Sequence, residues 1–324
     1  MSGPTPVRLG FVPLNDASTL IVARENGYFE TEGVAVDLAR EASWATVRDK
    51  LAAGVIDGAH LLAPLSLAMA GGFGCERTDL VVPFTMGWQN AAITIGADMA
   101  SRLPAGAEGA GLAERVRSRA REGSSPLTIA SVFPYSIHTY LLRSWMERAD
   151  IGPDLRLTVV SPQRAATLLA EGVIEGFCAG EPWNSVAVSR DVGRIVAEAA
   201  DVLPGAPDKV FAASRALATE RPGDLQAIVR ALIRAAGWIR EAVNHPALAT
   251  VLSRPEYLGV DAGILEQSLT LRPPGGHSNR PDPSQAAWIE DQMLRWGQIE
   301  RADAEQNASG LYRHDLYDQA AEGL

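Results

Sequence analysis

The chain has 324 residues, 47% of them hydrophobic, which is enough to bury a sizeable core and to form two domains or one domain with two lobes. Its formal net charge of -10 repels polyanions and excludes nucleic-acid backbones and anionic membranes as direct partners. No window approaches the ~18 consecutive apolar residues needed to span a bilayer, and the opening "MSGPTPVRLGFVPL" lacks a cationic segment ahead of an apolar one, so a cytoplasmic protein is expected.

Short apolar runs alternate with helical patterns. "VRLGFV" predicts a strand, "ASTLIVAREN" a helix stopped by Gly27, and "GVAVDL" the next strand, which together make a βαβ unit. "LAAGVIDGAH" (51–60) predicts a helix end, a glycine cap and a strand entered through an acidic-Gly turn. Ser101 to Gly123 is polar and Gly- and Ala-rich, the pattern of a short solvated helix in a surface excursion. The βαβ pattern returns in "LTIASVF", "SIHTYLLRSWMER" and "LRLTVVS". "LAEGVIEGFC" (169–178) then matches the earlier glycine-capped stretch at Leu, Ala, Gly, Val, Ile and Gly, with an acid before the second Gly. "FVPLNDASTLI" and "VFPYSIHTYLL" correspond as well, in the same order, so the chain carries two similar α/β lobes. The expected division is 1–95 with 210–324 as lobe I and 96–209 as lobe II, crossing near Ile95 and again near Val210. Further on, "DLQAIVRALIRAAGWIREAV" has helical apolar spacing with Asp224 as its cap, and the tail predicts one more amphipathic helix and a short aromatic end segment. Cys75 and Cys178 form no CxxC pair and are expected to be core thiols in a reducing compartment, with no structural zinc.

Ligands of doubly wound sheets bind at the carboxyl ends of strands, and four stretches lie there. Trp44 follows the second strand and either offers a ring face or indole N–H to a ligand or simply packs. Gln89 and Asn90 form either a polar turn or a set of amide donors. Ser136 and His138 open a helix, where free N–H groups attract anions, although a histidine at such a place is more often a surface residue. Gly180, Glu181 and Pro182 end the strand of the second repeat; the proline holds Glu181 extended, stops the pairing and leaves a carboxylate to orient neighbouring donors. The sequence has no G-x-S-x-G, P-loop, H-E-x-x-H or metal-ligand spacing, so binding is favoured over catalysis, with no cofactor or metal expected.

The stretches "LGFVPLNDASTLIVARENGYFE", "REASWATVRDKL", "GEPWN", "MLRWGQI" and "LYRHDLYDQA" together resemble the nitrate/bicarbonate-binding family of ABC-transporter solute receptors, from about residue 7 to 320. The resemblance implies a type II periplasmic-binding-protein fold, two α/β lobes around a ligand cleft. It also implies an anion site at Trp44, Gln89, His138 and Lys209, with Gly180, Glu181 and Pro182 shaping the wall. The "LRPPGGHSNRPDPSQ" stretch (271–285) departs from a usually aromatic stretch of the family. Members that bind bicarbonate carry an acid where this chain has Lys209. A lysine supplies one fixed positive charge for a monoanion and needs no metal, so Lys209→Glu is expected to abolish nitrate binding and leave the fold intact.

Within the family the chain resembles the cytoplasmic nitrate and nitrite sensors of bacterial nitrate assimilation, which release an RNA-binding antiterminator partner when the anion binds. The alternatives are a receptor for a nitrate ABC importer, a sulfonate or other organic-anion binder, and an enzyme on the same fold acting on an organic precursor with His138 and Glu181 as acid and base.

Overall fold

The apolar runs form ten strands: Val7–Phe11 (β1), Val36–Arg40 (β2), Gly58–Leu62 (β3), Leu80–Trp88 (β4), Ala91–Gly96 (β5), Thr128–Ser131 (β6), Arg156–Val159 (β7), Gly176–Gly180 (β8), Gly193–Glu198 (β9) and Pro207–Ser214 (β10). They are seen in a computed structural model that describes residues 5–271, 278–301 and 310–324. The strands make two five-stranded sheets, ordered β2-β1-β3-β10-β4 and β7-β6-β8-β5-β9. In each sheet the first three strands run parallel and the fourth antiparallel. β3 and β8, paired on both sides, are buried at every position, whereas the edge strands β2 and β7 are half-exposed; β4, also an edge, is buried at all but its last residue.

The internal repeat is structural. Gly54 (φ 66°) and Gly172 (φ 68°) each follow a helix end, in left-handed backbone that glycine alone adopts without strain. The acid that follows stitches its turn to the neighbouring strand in the same way in both halves. Asp57 accepts the Arg8 N–H at 2.8 Å and donates its own N–H to Arg8 O at 2.7 Å. Glu175 accepts the Thr128 N–H at 2.6 Å and donates to Thr128 O at 2.8 Å. Gly58 and Gly176 then pair with the first strand of their sheets, opposite Leu9 and Ile129. A side chain at Gly176 would lie 2.9 Å from the Thr94 carbonyl oxygen, so the next glycine of the motif is fixed by close backbone approach.

Contacts divide the chain into unit 1, the described residues of Met1–Trp88 with Pro207–Leu324, and unit 2, Gln89–Ala206. The chain therefore passes between the units at 88/89 and 206/207, several residues before the expected crossings near Ile95 and Val210. The physical reason is strand partnership: β5 pairs with β8 and β9, whereas β10, with Lys209, pairs with β3 and β4.

Three local expectations are also adjusted. The excursion after residue 100 holds a longer helix than expected, Glu108–Arg121, which buries Leu112, Ala113 and Val116. The helix Pro222–Arg240 starts two residues ahead of Asp224, because Pro222 supplies the first-turn geometry and Asp224 instead accepts from Arg221 at 2.6 Å. Cys178 is buried, but Cys75 is half-buried and is not a core thiol. Of the 271–285 stretch, residues 272–277 lie outside the described residues. Among the described residues no helix is long and apolar enough to cross a membrane.

Candidate functional site

In unit 1 the turn after β1, the loop after β2 and the strands β3 and β10 surround a buried ionic cluster. After β1 the chain makes a 3-10 turn, Asn15–Ala17, before the helix Ser18–Glu25, and this turn carries Asp16. After β2, Ser43 caps the helix Trp44–Ala52 by accepting the Thr46 N–H at 3.1 Å, which places Trp44 at the first helical position. Lys209 pairs with Leu62, the last residue of β3, and His60 lies two residues back on that strand. Asp16, Trp44 and Lys209 thus meet at the carboxyl ends of the parallel strands, where α/β sheets hold ligands.

The Lys209 ammonium lies 2.9 Å from Asp16 Oδ2 and 2.7 Å from Asp208 Oδ1, and all three side chains are buried. Consecutive residues of a regular strand point to opposite faces, so Asp208 and Lys209 would normally diverge. Here β10 slips register against β4 on both sides of Lys209, and the irregularity re-aims the two side chains toward each other. A side chain at Gly87, the β4 partner of Lys209, would come within 3.1–3.2 Å of Asp16, so this position too is held small. Lys209 Nζ is 5.9 Å from the centroid of the Trp44 ring, whose other neighbour is His60, edge-on at 5.2 Å and 61°. The Trp44 indole N–H is buried and has no hydrogen-bond partner among the described residues.

Burial would lower the Lys209 pKa, but the Asp16 and Asp208 carboxylates outweigh it and hold the ammonium charged above its ordinary value. Burial pushes the Asp208 carboxyl up to about 6, with repulsion from Asp16 adding and the pull of Lys209 opposing. His60 is driven down to about 4 by burial and by the Lys209 charge, against Asp16 and the Val12 backbone, so it is neutral at pH 7. Lys209 is therefore not a free positive charge: two carboxylates already face it. Asp16, His60 and Asp208, all within this cluster, are missing from the sequence-derived site.

Unit 2 arranges its candidates at the matching end of its own sheet. Ser136 caps the helix Ile137–Arg148, accepting from Thr139 N–H at 3.1 Å and donating to Phe133 O at 2.6 Å, and His138 is buried at the second helical position rather than on the surface. Glu181 follows β8 with its N–H donating to Asn90 O at 3.1 Å, while its carboxylate accepts the Ser185 N–H at 3.1 Å. The chain then enters the helix Trp183–Ser189 directly after Pro182. Asn184 ties this segment down, donating to Ala179 O and accepting from Thr94 Oγ1, both at 2.8 Å. The Gln89 amide Nε2 donates to Leu203 O at 3.2 Å, so part of its hydrogen-bonding capacity is spent on the end of a short helix.

Two α/β units of matched strand order, each with polar side chains at the carboxyl ends of its parallel strands, define the type II periplasmic-binding-protein fold. The NMT1-like family profile matches residues 2–253, and the chain belongs to that family. Among relatives, it is 30% identical over 314 residues to the nitrate import ATP-binding protein NrtC of Synechocystis sp. PCC 6803, covering 90% of this chain and 46% of NrtC. It is 29% identical over 307 residues to the bicarbonate transport ATP-binding protein CmpC of Synechococcus elongatus, covering 90% of this chain and 45% of CmpC. The chain thus spans about half the length of these curated relatives. The crystal structure of the periplasmic nitrate-binding protein NrtA from Synechocystis PCC 6803 superposes with a TM-score of 0.89 at 25% identity, covering 99% of this chain and 89% of NrtA.

Proposed function

We propose that this chain is the receptor of a nitrate ABC importer, binding nitrate or nitrite. The observation that carries this reading is its likeness to NrtA over 99% of its length, joined to the Trp44 and Lys209 cluster at the strand ends of unit 1. Nitrate is planar and weakly basic, so its site must replace water with charge, N–H donors and a flat apolar wall. Trp44 supplies an unmet N–H and a ring, and Lys209 supplies an ammonium that the anion would share with Asp16 and Asp208. In unit 2 the residues that the sequence resemblance names are His138, Gln89, Gly180, Glu181 and Pro182. Bicarbonate transport is also represented among the relatives; the sequence resemblance, which implies an acid at position 209 in bicarbonate binders, makes Lys209 favour nitrate or nitrite. NrtA, which matches 99% of this chain, is named for binding nitrate, which favours a receptor over an enzyme.

Nitrate or nitrite at ~100 times its dissociation constant is expected to add about 2.7 kcal/mol to the folded state and to raise the melting temperature. A panel of nitrate, nitrite, chloride, sulfate and bicarbonate with calcium checks it. A shift with calcium plus bicarbonate and none with nitrate or nitrite overturns the assignment.

The finer reading, a cytoplasmic sensor that releases an RNA-binding antiterminator, rests on the sequence resemblance alone. It requires reciprocal coupling between anion and partner, typically 1–3 kcal/mol. Size exclusion of the chain with an antiterminator encoded beside it separates the two: a complex that dissolves in millimolar nitrate supports the sensor, and no complex with or without nitrate leaves the receptor.

A further inference from the structure

Charge counting at the unit 1 cluster points beyond the anion itself. Two carboxylates share one ammonium in a space from which all three side chains are shut off from water. With His60 neutral, the group carries one net negative charge whenever both aspartates are ionised. A monoanion held at Lys209 would bring the buried total to two negative charges, and unpaired buried charge is among the most costly arrangements in a protein. The charged groups that act on Asp208 among the described residues are Lys209 on its own strand and Asp16 from the turn after β1; around the cluster, His60 on β3 lies against Trp44, the uncharged Trp44 ring lies by Lys209, and Gly87 of β4 lies by Asp16. None of these is a second cation.

We infer that the anion binds together with one proton, taken from solvent by the Asp208 carboxylate, and that Asp16 and Asp208 are positioning residues that set this coupling. The inference rests on the oxyanion reading given above. The anion stays ionised, the proton goes to an Asp208 carboxyl oxygen, and the loaded cluster keeps Lys209 paired with Asp16 beside a neutral acid. Burial has already prepared Asp208 for this, since its carboxyl titrates at about 6 before any anion arrives. Below that pH the proton is in place, and above it each bound anion must recruit one, so affinity falls by up to about tenfold per pH unit on the alkaline side.

Nitrate, the conjugate base of a strong acid, is the probe, because it takes no proton itself across the working range. Calorimetric titration of the full chain at pH 5.5 to 8.5, in two buffers of different ionisation enthalpy, is expected to show uptake approaching one proton per nitrate at the alkaline end, with tighter binding toward pH 6. Asp208→Asn is expected to bind nitrate with a flat pH profile and no proton uptake. Tight nitrate binding by the unaltered chain with a flat profile and no uptake overturns the coupling and leaves the oxyanion reading standing. Absence of nitrate binding at every pH overturns that reading and the coupling with it. The proton count on the unaltered chain decides the matter even if the variant does not fold.

Discussion

Lys209→Glu is expected to unfold unit 1 rather than merely to abolish ligand binding. The lysine is fully buried and ion-paired to Asp16 at 2.9 Å and Asp208 at 2.7 Å, so glutamate would leave three carboxylates and no cation where water cannot reach. Breaking a buried pair by removing one partner costs about 3–5 kcal/mol, and a third negative charge adds to that. A loss of this size corresponds to a fall in melting temperature on the order of 10 °C or more, or to no soluble protein. Position 209 lies on β10, paired with β3 and β4 on its two sides, so the strain falls on an interior strand of the first sheet. The triple variant Lys209→Met, Asp16→Asn, Asp208→Asn removes the charges together and is expected to keep the fold, since replacing a whole buried ionic group is often neutral. Thermal melting followed by circular dichroism compares the two. K209E melting within a few degrees of the unaltered chain would mean that the lysine is not paired as described. This expectation corrects the one drawn from sequence, in which the fold survives.

That correction shows where the sequence was legible. The repeat could be read because its signals are local. A helix end, a left-handed glycine and an acid before a second glycine occupy ten residues, and Asp57 and Glu175 perform the same stitch in both units. Trp44 could be placed near a site because it falls where a strand gives way to a helix, whereas Lys209, inside β10, was reached only through the family resemblance. The partners of Lys209 were hidden for particular reasons. Asp208 is its immediate neighbour, and strand alternation assigns such a neighbour to the opposite face; only the register slip of β10 against β4 brings the two together. Asp16, in "PLND", reads as an ordinary turn residue, and its reach to Lys209 is a contact between distant segments. His60 left one trace, a lone polar residue inside the wholly buried strand "GAHLL". The chain crossings were misplaced for a related reason: the expected boundaries at Ile95 and Val210 fall inside the strands β5 and β10, and composition does not say which sheet a strand joins.

The same cluster is expected to give a pH dependence that single substitutions uncover. His60 titrates at about 4 in the folded protein and near 6.5 when unfolded, so between those values the unfolded chain binds the extra proton. Stability supplied by this histidine is complete above 6.5 and is lost as pH falls toward 4, a contribution of about 3 kcal/mol. Asp208 works in the opposite sense. Its folded carboxyl titrates at about 6 against an ordinary 3.8, so the folded state holds the extra proton in that window. Its contribution is complete below 3.8 and is lost as pH rises toward 6, again by about 3 kcal/mol. The two windows nearly coincide and the slopes are opposite, so in the unaltered chain they cancel. Asp208→Asn removes the second slope, and its stability should drop by about 3 kcal/mol more than that of the unaltered chain between pH 6.5 and 4. His60→Gln should show the mirror image, losing stability as pH rises from 3.8 toward 6. Urea denaturation at closely spaced pH values measures all three proteins, and parallel curves would show that Asp208 and His60 do not titrate against each other in this core.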